Sequence, residues 1–186
     1  HVKTRGISSD VIQGFIDRGD PIVEGQPAKV FILGGVNDIS HDLTPDSLCT
    51  SMEKLIVKIK QGSPRTKIYL QSLLPIDNSF GRYRKMVGKE QVIVETNRLY
   101  KEMAERHGVT WIDLYSKMVD PATGSMRKGL TNDGLHLLGA GYLVWRDAVL
   151  PYLKKSGGGL AVKNMRGGHA GMSLHPPAAH RANEAY

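Results

Sequence analysis

The chain reads as an α/β protein built on a parallel sheet, and three observations predict this. Short apolar runs rich in β-branched or aromatic residues occur at 29–33, 67–72 and 109–114. Stretches with helical spacing lie between and after them. Strands alternating with helices imply βαβ units and a parallel sheet. Such units cross over right-handed and place ligands beyond the C-terminal ends of the strands.

In chain order, "HVK" at 1–3 reads as the end of a strand, and "SSDVIQGFIDRG" at 8–19 as a short helix. "KVFIL" at 29–33 is the first complete strand, and "GGVND" follows it directly. The helix at 43–62 opens with Thr44 as N-cap and Pro45 at the first helical position. Leu48, Met52, Leu55, Ile56 and Ile59 then form one apolar face, and Gly62 marks the stop. "KIYLQS" at 67–72 is the second strand. Residues 74–88 have neither period and are long for a connection, as lids and binding loops are. The helix at 89–108 places Val92, Leu99, Tyr100 and Met103 on one stripe and ends at Gly108. "VTWIDL" at 109–114 is the third strand, and a last helix covers 137–153. The folded domain therefore spans 1–153. Residues 154–186 hold six glycines without sustained periodicity and read as a disordered tail.

Composition excludes several classes. Apolar residues make up 40% and charged residues 23% of the 186, as in a globular domain with a full core. No apolar run is long enough to span a bilayer. The single Cys49 rules out an internal disulfide and a thiolate metal cluster, and is compatible with the cytoplasm or with export. The first residues contain no apolar signal region and no initiator Met, which suits an interior position of a longer gene product. Of the net charge of +7, much sits in the tail, where five Lys or Arg face only Glu184. The tail has no dense basic run with interleaved aromatics, so nucleic acid is not an expected partner. Oligomeric state is not readable from the sequence.

Three motifs carry chemistry. In "GGVND" the glycine pair permits a tight turn, and Asn37 can aim a neutral amide donor over the strand ends. Its ordinary structural account is an Asx-turn or a helix cap. In "NDGLH" an aspartate three residues from a histidine can orient an imidazole that acts as general base. Here the ordinary account is an N-cap Asp133 with a surface His136. "TRGISSD" at 4–10 leads into a helix whose first N–H groups point outward, where an anionic group is favoured.

The order "RGIS", "GGVND", "DGLHLLGAGY", in this strand context, resembles the SGNH (GDSL) hydrolase family. The resemblance runs from the start to about Leu153 and is nearest to bacterial esterases related to platelet-activating-factor acetylhydrolase catalytic subunits and to sialate or carbohydrate O-acetylesterases. It implies a flavodoxin-like three-layer α/β/α sandwich and serine ester hydrolysis with no cofactor and no metal. His136 resembles the family's base and Asp133 the residue that orients it. Asn37 resembles the side-chain donor of the oxyanion hole. Ser9 stands where the family usually has Gly, and its backbone N–H would be the second donor. Gly35 and Asp38 fall in the block expected to bind substrate. The family's nucleophilic serine sits in a "GDS"-type turn after a first strand, upstream of "RGIS". The resemblance therefore implies that this strand and its serine lie upstream of His1.

Within this sequence, Ser173 in "AGMSLH" matches the nucleophile turn only if the chain is permuted, and no apolar strand precedes it. Phe80, Arg82 and Tyr83 are candidates for lining a substrate pocket or for an exposed loop. Trp111, Tyr142 and Trp145 suit the core, His107 a helix end, and His169, His175 and His180 lack a metal-ligand spacing. The implied substrate is a small ester, with an acetylated sugar first. The alternatives are a lysophospholipase or thioesterase, or a module that binds a carbohydrate ester without cleaving it.

Overall fold

The computed structural model describes residues 16–17 and 20–154. The expected strand end at 1–3, nearly all of the helix at 8–19, and the tail from 155 onward lie outside the described residues. The described elements are α1 (Asp20–Gly25), β1 (Lys29–Ile32), α2 (Val36–Ser40), α3 (Pro45–Gly62), β2 (Lys67–Gln71), α4 (Glu90–Arg106), β3 (Thr110–Ile112), α5 (Tyr115–Met118) and α6 (Gly139–Lys154). Two 3₁₀ turns, Asn78–Phe80 and Arg84–Met86, punctuate the long loop after β2.

The three strands form a parallel sheet in the order β1-β2-β3. Lys29 pairs with Lys67 and Phe31 with Tyr69; Tyr69 then pairs with Thr110 and Gln71 with Ile112. Side chains alternate between the faces, as a strand dictates. Ile32, Ile68 and Leu70 join a core built with Leu48, Met52, Leu55, Ile56 and Ile59 of α3 and Ile93, Tyr100 and Met103 of α4. Phe31 and Tyr69 point the other way and stack at 4.5 Å. With Ile112 they meet Trp145, Ala148, Val149 and Tyr152 of α6. Helices on both faces of the sheet make the three-layer α/β/α sandwich. Among the described residues, no helix is long and apolar enough to cross a membrane.

α3 starts as its sequence predicts: Thr44 Oγ1 accepts from Ser47 N at 3.2 Å, Pro45 is the first helical residue, and all five expected face residues are buried. α4 departs from expectation. Its buried face is Ile93, Thr96, Asn97, Tyr100, Met103 and Ala104, whereas Val92 and Leu99 are only half-buried. The helix is turned because two polar residues are satisfied inside. Asn97 Nδ2 donates to Leu73 O and its Oδ1 accepts from Leu73 N, and Thr96 Oγ1 donates to Val92 O. An apolar count cannot see that arrangement.

β3 is shorter than 109–114 because Asp113 turns the chain: its carboxylate accepts from Ser116 N and Ser116 Oγ. The last helix begins at Gly139 rather than 137. Thr131 and Leu137 form an antiparallel bridge and Leu138 N donates to Leu130 O, which holds 137–138 out of the helix.

Candidate active site

The block after β1 is a glycine turn and a single helical turn. Gly35 has φ +129°, and a Cβ there would lie 2.8 Å from the Tyr100 hydroxyl. That hydroxyl donates to Gly34 O at 3.1 Å, so Tyr100 braces the turn from α4. Burial, and then the negative charge of Asp38, push the Tyr100 phenol well above its ordinary value, which keeps it a neutral donor. α2 follows, with Ser40 Oγ and the His41 ring both bonded to Asn37 O. Asn37 is 5% exposed and Asp38 3%. Ser40 is committed to closing this turn.

The second block is built by Asp133. Leu135 N and His136 N each donate to its Oδ1 at 2.8 Å, and Thr131 Oγ1 donates to the same oxygen. The tight turn folds His136 back, so that its Nδ1 lies 2.8 Å from Asp133 Oδ2. Burial acts to raise the Asp133 carboxyl, but the N–H groups of Leu135 and His136, the imidazole and the Tyr83 hydroxyl outweigh it and bring it down to about 2. A carboxylate ionised in this way requires the proton on His136 Nδ1 and leaves Nε2 as the basic nitrogen. None of the described residues hydrogen-bonds His136 Nε2, and the side chain is 22% exposed. Asp133 therefore folds a local turn, as an ordinary capping residue would, and also orients the His136 imidazole.

Gly134 permits that turn. It has φ +92°, and a Cβ would come within 2.1 Å of Asp77 O. The close approach brings the long loop against the Asp133–His136 turn, where Asp77 N donates to Gly134 O at 2.8 Å. From that loop Tyr83 reaches the pair: its hydroxyl donates to Asp133 Oδ2 at 2.9 Å and lies 3.1 Å from His136 Nδ1. Tyr83 is buried, whereas Phe80 beside Gly134 is exposed. Sequence reasoning placed Tyr83 among pocket candidates and missed this link. Only the lack of periodicity in the loop hinted at it.

α2 packs on the Arg84–Met86 turn, so the segment 83–86 touches both the Asn37 block and the Asp133–His136 pair. Gly35, Asn37 and Asp38 are thus gathered in one turn, and Asp133 and His136 in another. Ser9 and Ser173 lie outside the described residues.

The chain is thus a parallel α/β/α sandwich with an aspartate-held histidine on the loop that precedes α6. Comparison with known proteins gives the family: the model of the GDSL-like lipase/acylhydrolase family matches residues 1–144, and the chain belongs to that family. No curated protein matches it. Among solved structures, it resembles a protein of Streptococcus pneumonia described as a platelet activating factor, at 29% identity and TM-score 0.73, over 81% of this chain and 72% of the other. A GDSL-like lipase from Bacteroides thetaiotaomicron shares the fold at 24% identity and TM-score 0.74, over 82% and 75% of the two chains. A catalytic mutant of an acetylxylan esterase from Geobacillus stearothermophilus does so at 18% identity and TM-score 0.63, over 81% and 71%.

Proposed function

We propose that this protein is a serine ester hydrolase that removes a short acyl group, acetyl first, from a carbohydrate or similar small ester. The observation that carries the reading is the Asp133–His136 pair, 2.8 Å apart, with the imidazole edge at Nε2 left to a reactant. In this reading His136 takes the proton of a serine hydroxyl, and the alkoxide attacks the ester carbonyl. Asn37 and the backbone N–H of Ser9 hold the oxyanion, while Gly35 and Asp38 shape the substrate side of that turn. His136 returns the proton to the leaving alcohol, then activates water to release the acyl-enzyme.

Among the described residues no serine hydroxyl bonds to His136, so the nucleophile is assigned to a serine outside them. The acetylxylan esterase among the structural neighbours supports a sugar ester as the substrate class. The test is hydrolysis of p-nitrophenyl acetate and of acetylated xylan by the protein, beside His136→Ala and Ser173→Ala. Loss in His136→Ala alone supports a serine other than Ser173. Loss in both variants assigns the nucleophile to Ser173. Activity no greater than that of His136→Ala would remove the esterase reading for this chain.

A further inference from the structure

The long loop after β2 is held more firmly than a connection needs to be. Asn78 Nδ2 donates to Met86 O and to Glu90 Oε1, so both ends of the 78–90 excursion are tied. Met86 N donates to Tyr83 O, and Met86 is buried in the main core. Lys89 pairs with Asp42 beyond α2, and Asp77 N is stapled to Gly134 O. The loop is thus fastened to the Asn37 block on one side and to the catalytic turn on the other. Tyr83 is the residue it delivers to the Asp133–His136 pair.

The contacts of Tyr83 are directional. Asp133 Oδ1 is already occupied by two backbone N–H groups and Thr131. Oδ2 receives the imidazole at 2.8 Å and the phenol at 2.9 Å. The Tyr83 ring meets the His136 ring edge-on, with centroids 5.8 Å apart and planes at 67°. The imidazole therefore has a wall on one side as well as an acceptor at Nδ1. Among the described residues, Asp133 and Tyr83 are the titratable groups within hydrogen-bonding reach of His136.

We propose that Tyr83 is a positioning residue for the general base: its O–H shares Asp133 Oδ2 with His136 Nδ1–H, and its ring fixes the plane of the imidazole. This rests on the esterase reading for its catalytic consequence, though the hydrogen-bond arrangement itself does not depend on that reading. A carboxylate oxygen that already accepts from a phenol has less charge to offer an imidazolium. Tyr83 therefore limits how tightly Asp133 binds the protonated histidine, which must give up its proton in each half-reaction. Without the hydroxyl, the Asp133–imidazolium bond strengthens and the imidazole gains freedom to rotate.

The test is Tyr83→Phe, which keeps the ring and removes the hydroxyl. The full chain is studied by proton NMR of the His136 Nδ1–H and by kinetics on p-nitrophenyl acetate. The Nδ1–H resonance is expected to move downfield, the acid limb of the pH–rate profile to move to higher pH, and kcat to fall about tenfold with KM little changed. A structural role alone would lower the melting temperature without moving the resonance or the acid limb. An Nδ1–H resonance unchanged or moved upfield overturns the proposal. If the parent protein is inactive on esters, the esterase reading fails while the NMR result still decides the role of Tyr83. Where the phenylalanine variant does not fold, the wild type labelled at tyrosine Cζ supplies the answer. The Tyr83 Cζ signal should follow the His136 ring signals through a pH titration; a Cζ signal indifferent to them overturns the proposal.

Discussion

Replacing Gly134 with alanine tests how the Asp133–His136 turn is built. The residue has φ +92°, and its added Cβ would meet Asp77 O at 2.1 Å and Asp77 C at 3.1 Å. A side chain at such a φ costs about 1–2 kcal/mol in backbone strain. The carbonyl of Asp77 must also retreat, which breaks the 2.8 Å bond from Asp77 N to Gly134 O. A hydrogen bond lost in this way costs about 1 kcal/mol. Alanine restricts the unfolded chain and returns about 0.7 kcal/mol. The net destabilisation is about 1.3–2.3 kcal/mol, which lowers the melting temperature by roughly 3–9 °C in a domain of this size. The assay is thermal unfolding followed by circular dichroism, with urea unfolding as a check. A second reading comes from NMR, because Asp133 and His136 flank Gly134 and their 2.8 Å bond should lengthen. A variant that melts within about 2 °C of the parent, with an unchanged His136 Nδ1–H resonance, would refute the close packing of this turn on Asp77.

Other perturbations separate packing from chemistry. Asn97→Leu leaves Leu73 N–H and C=O buried without their side-chain partner and should destabilise the protein by about 2–4 kcal/mol in urea unfolding. Asp133 has a lowered carboxyl, so it stabilises the folded state above the ordinary carboxylate value, and this is lost as pH falls through about 2. The stability gap between the parent and Asp133→Asn should accordingly shrink as pH falls from about 4 to 2. A gap that does not shrink below about pH 4 would contradict the hydrogen bonds assigned to this carboxylate. Asn37→Ala, if Asn37 holds the oxyanion, lowers turnover about a hundredfold or more with melting temperature little changed. Unchanged turnover in an active preparation would remove it from the mechanism.

What the sequence revealed follows the range of the interactions. The Thr44–Pro45 start of α3 was legible because a cap and its helix are neighbours in the chain. The meeting of Asp133 and His136 was legible because a glycine turn closes three residues locally. The parallel sheet followed from the alternation of strands and helices. The inward face of α4 was not legible, since Asn97 is buried for the sake of Leu73, 24 residues away. Nor was the role of Tyr83, whose partners Asp133 and His136 lie 50 and 53 residues along the chain. The short helix α2 was hidden by its glycines, because Gly35 serves as its N-cap through a conformation that helix propensity does not describe.

The long-range ties share one segment. Gln71 Oε1 accepts from Trp145 of α6, and Ser72 Oγ accepts from Leu114 N and Tyr115 N at the entry to α5. Leu73 is clasped by Asn97 of α4, Ile76 O accepts from Met126 N, and Asp77 N reaches Gly134 O. Residues 71–77 thus meet, in sequence, the helix behind the sheet, the helix in front, and the Asp133–His136 turn. Several of these groups are buried polar ones, each with a partner, so displacing any element leaves a donor or acceptor unsatisfied. Apolar contacts alone would tolerate a sliding of the turn by an ångström. In the proposed esterase reading, a base that must meet a hydroxyl in one orientation does not tolerate it. The polar composition of a strand end that should otherwise be apolar is therefore the physical signature of a site held in place from below.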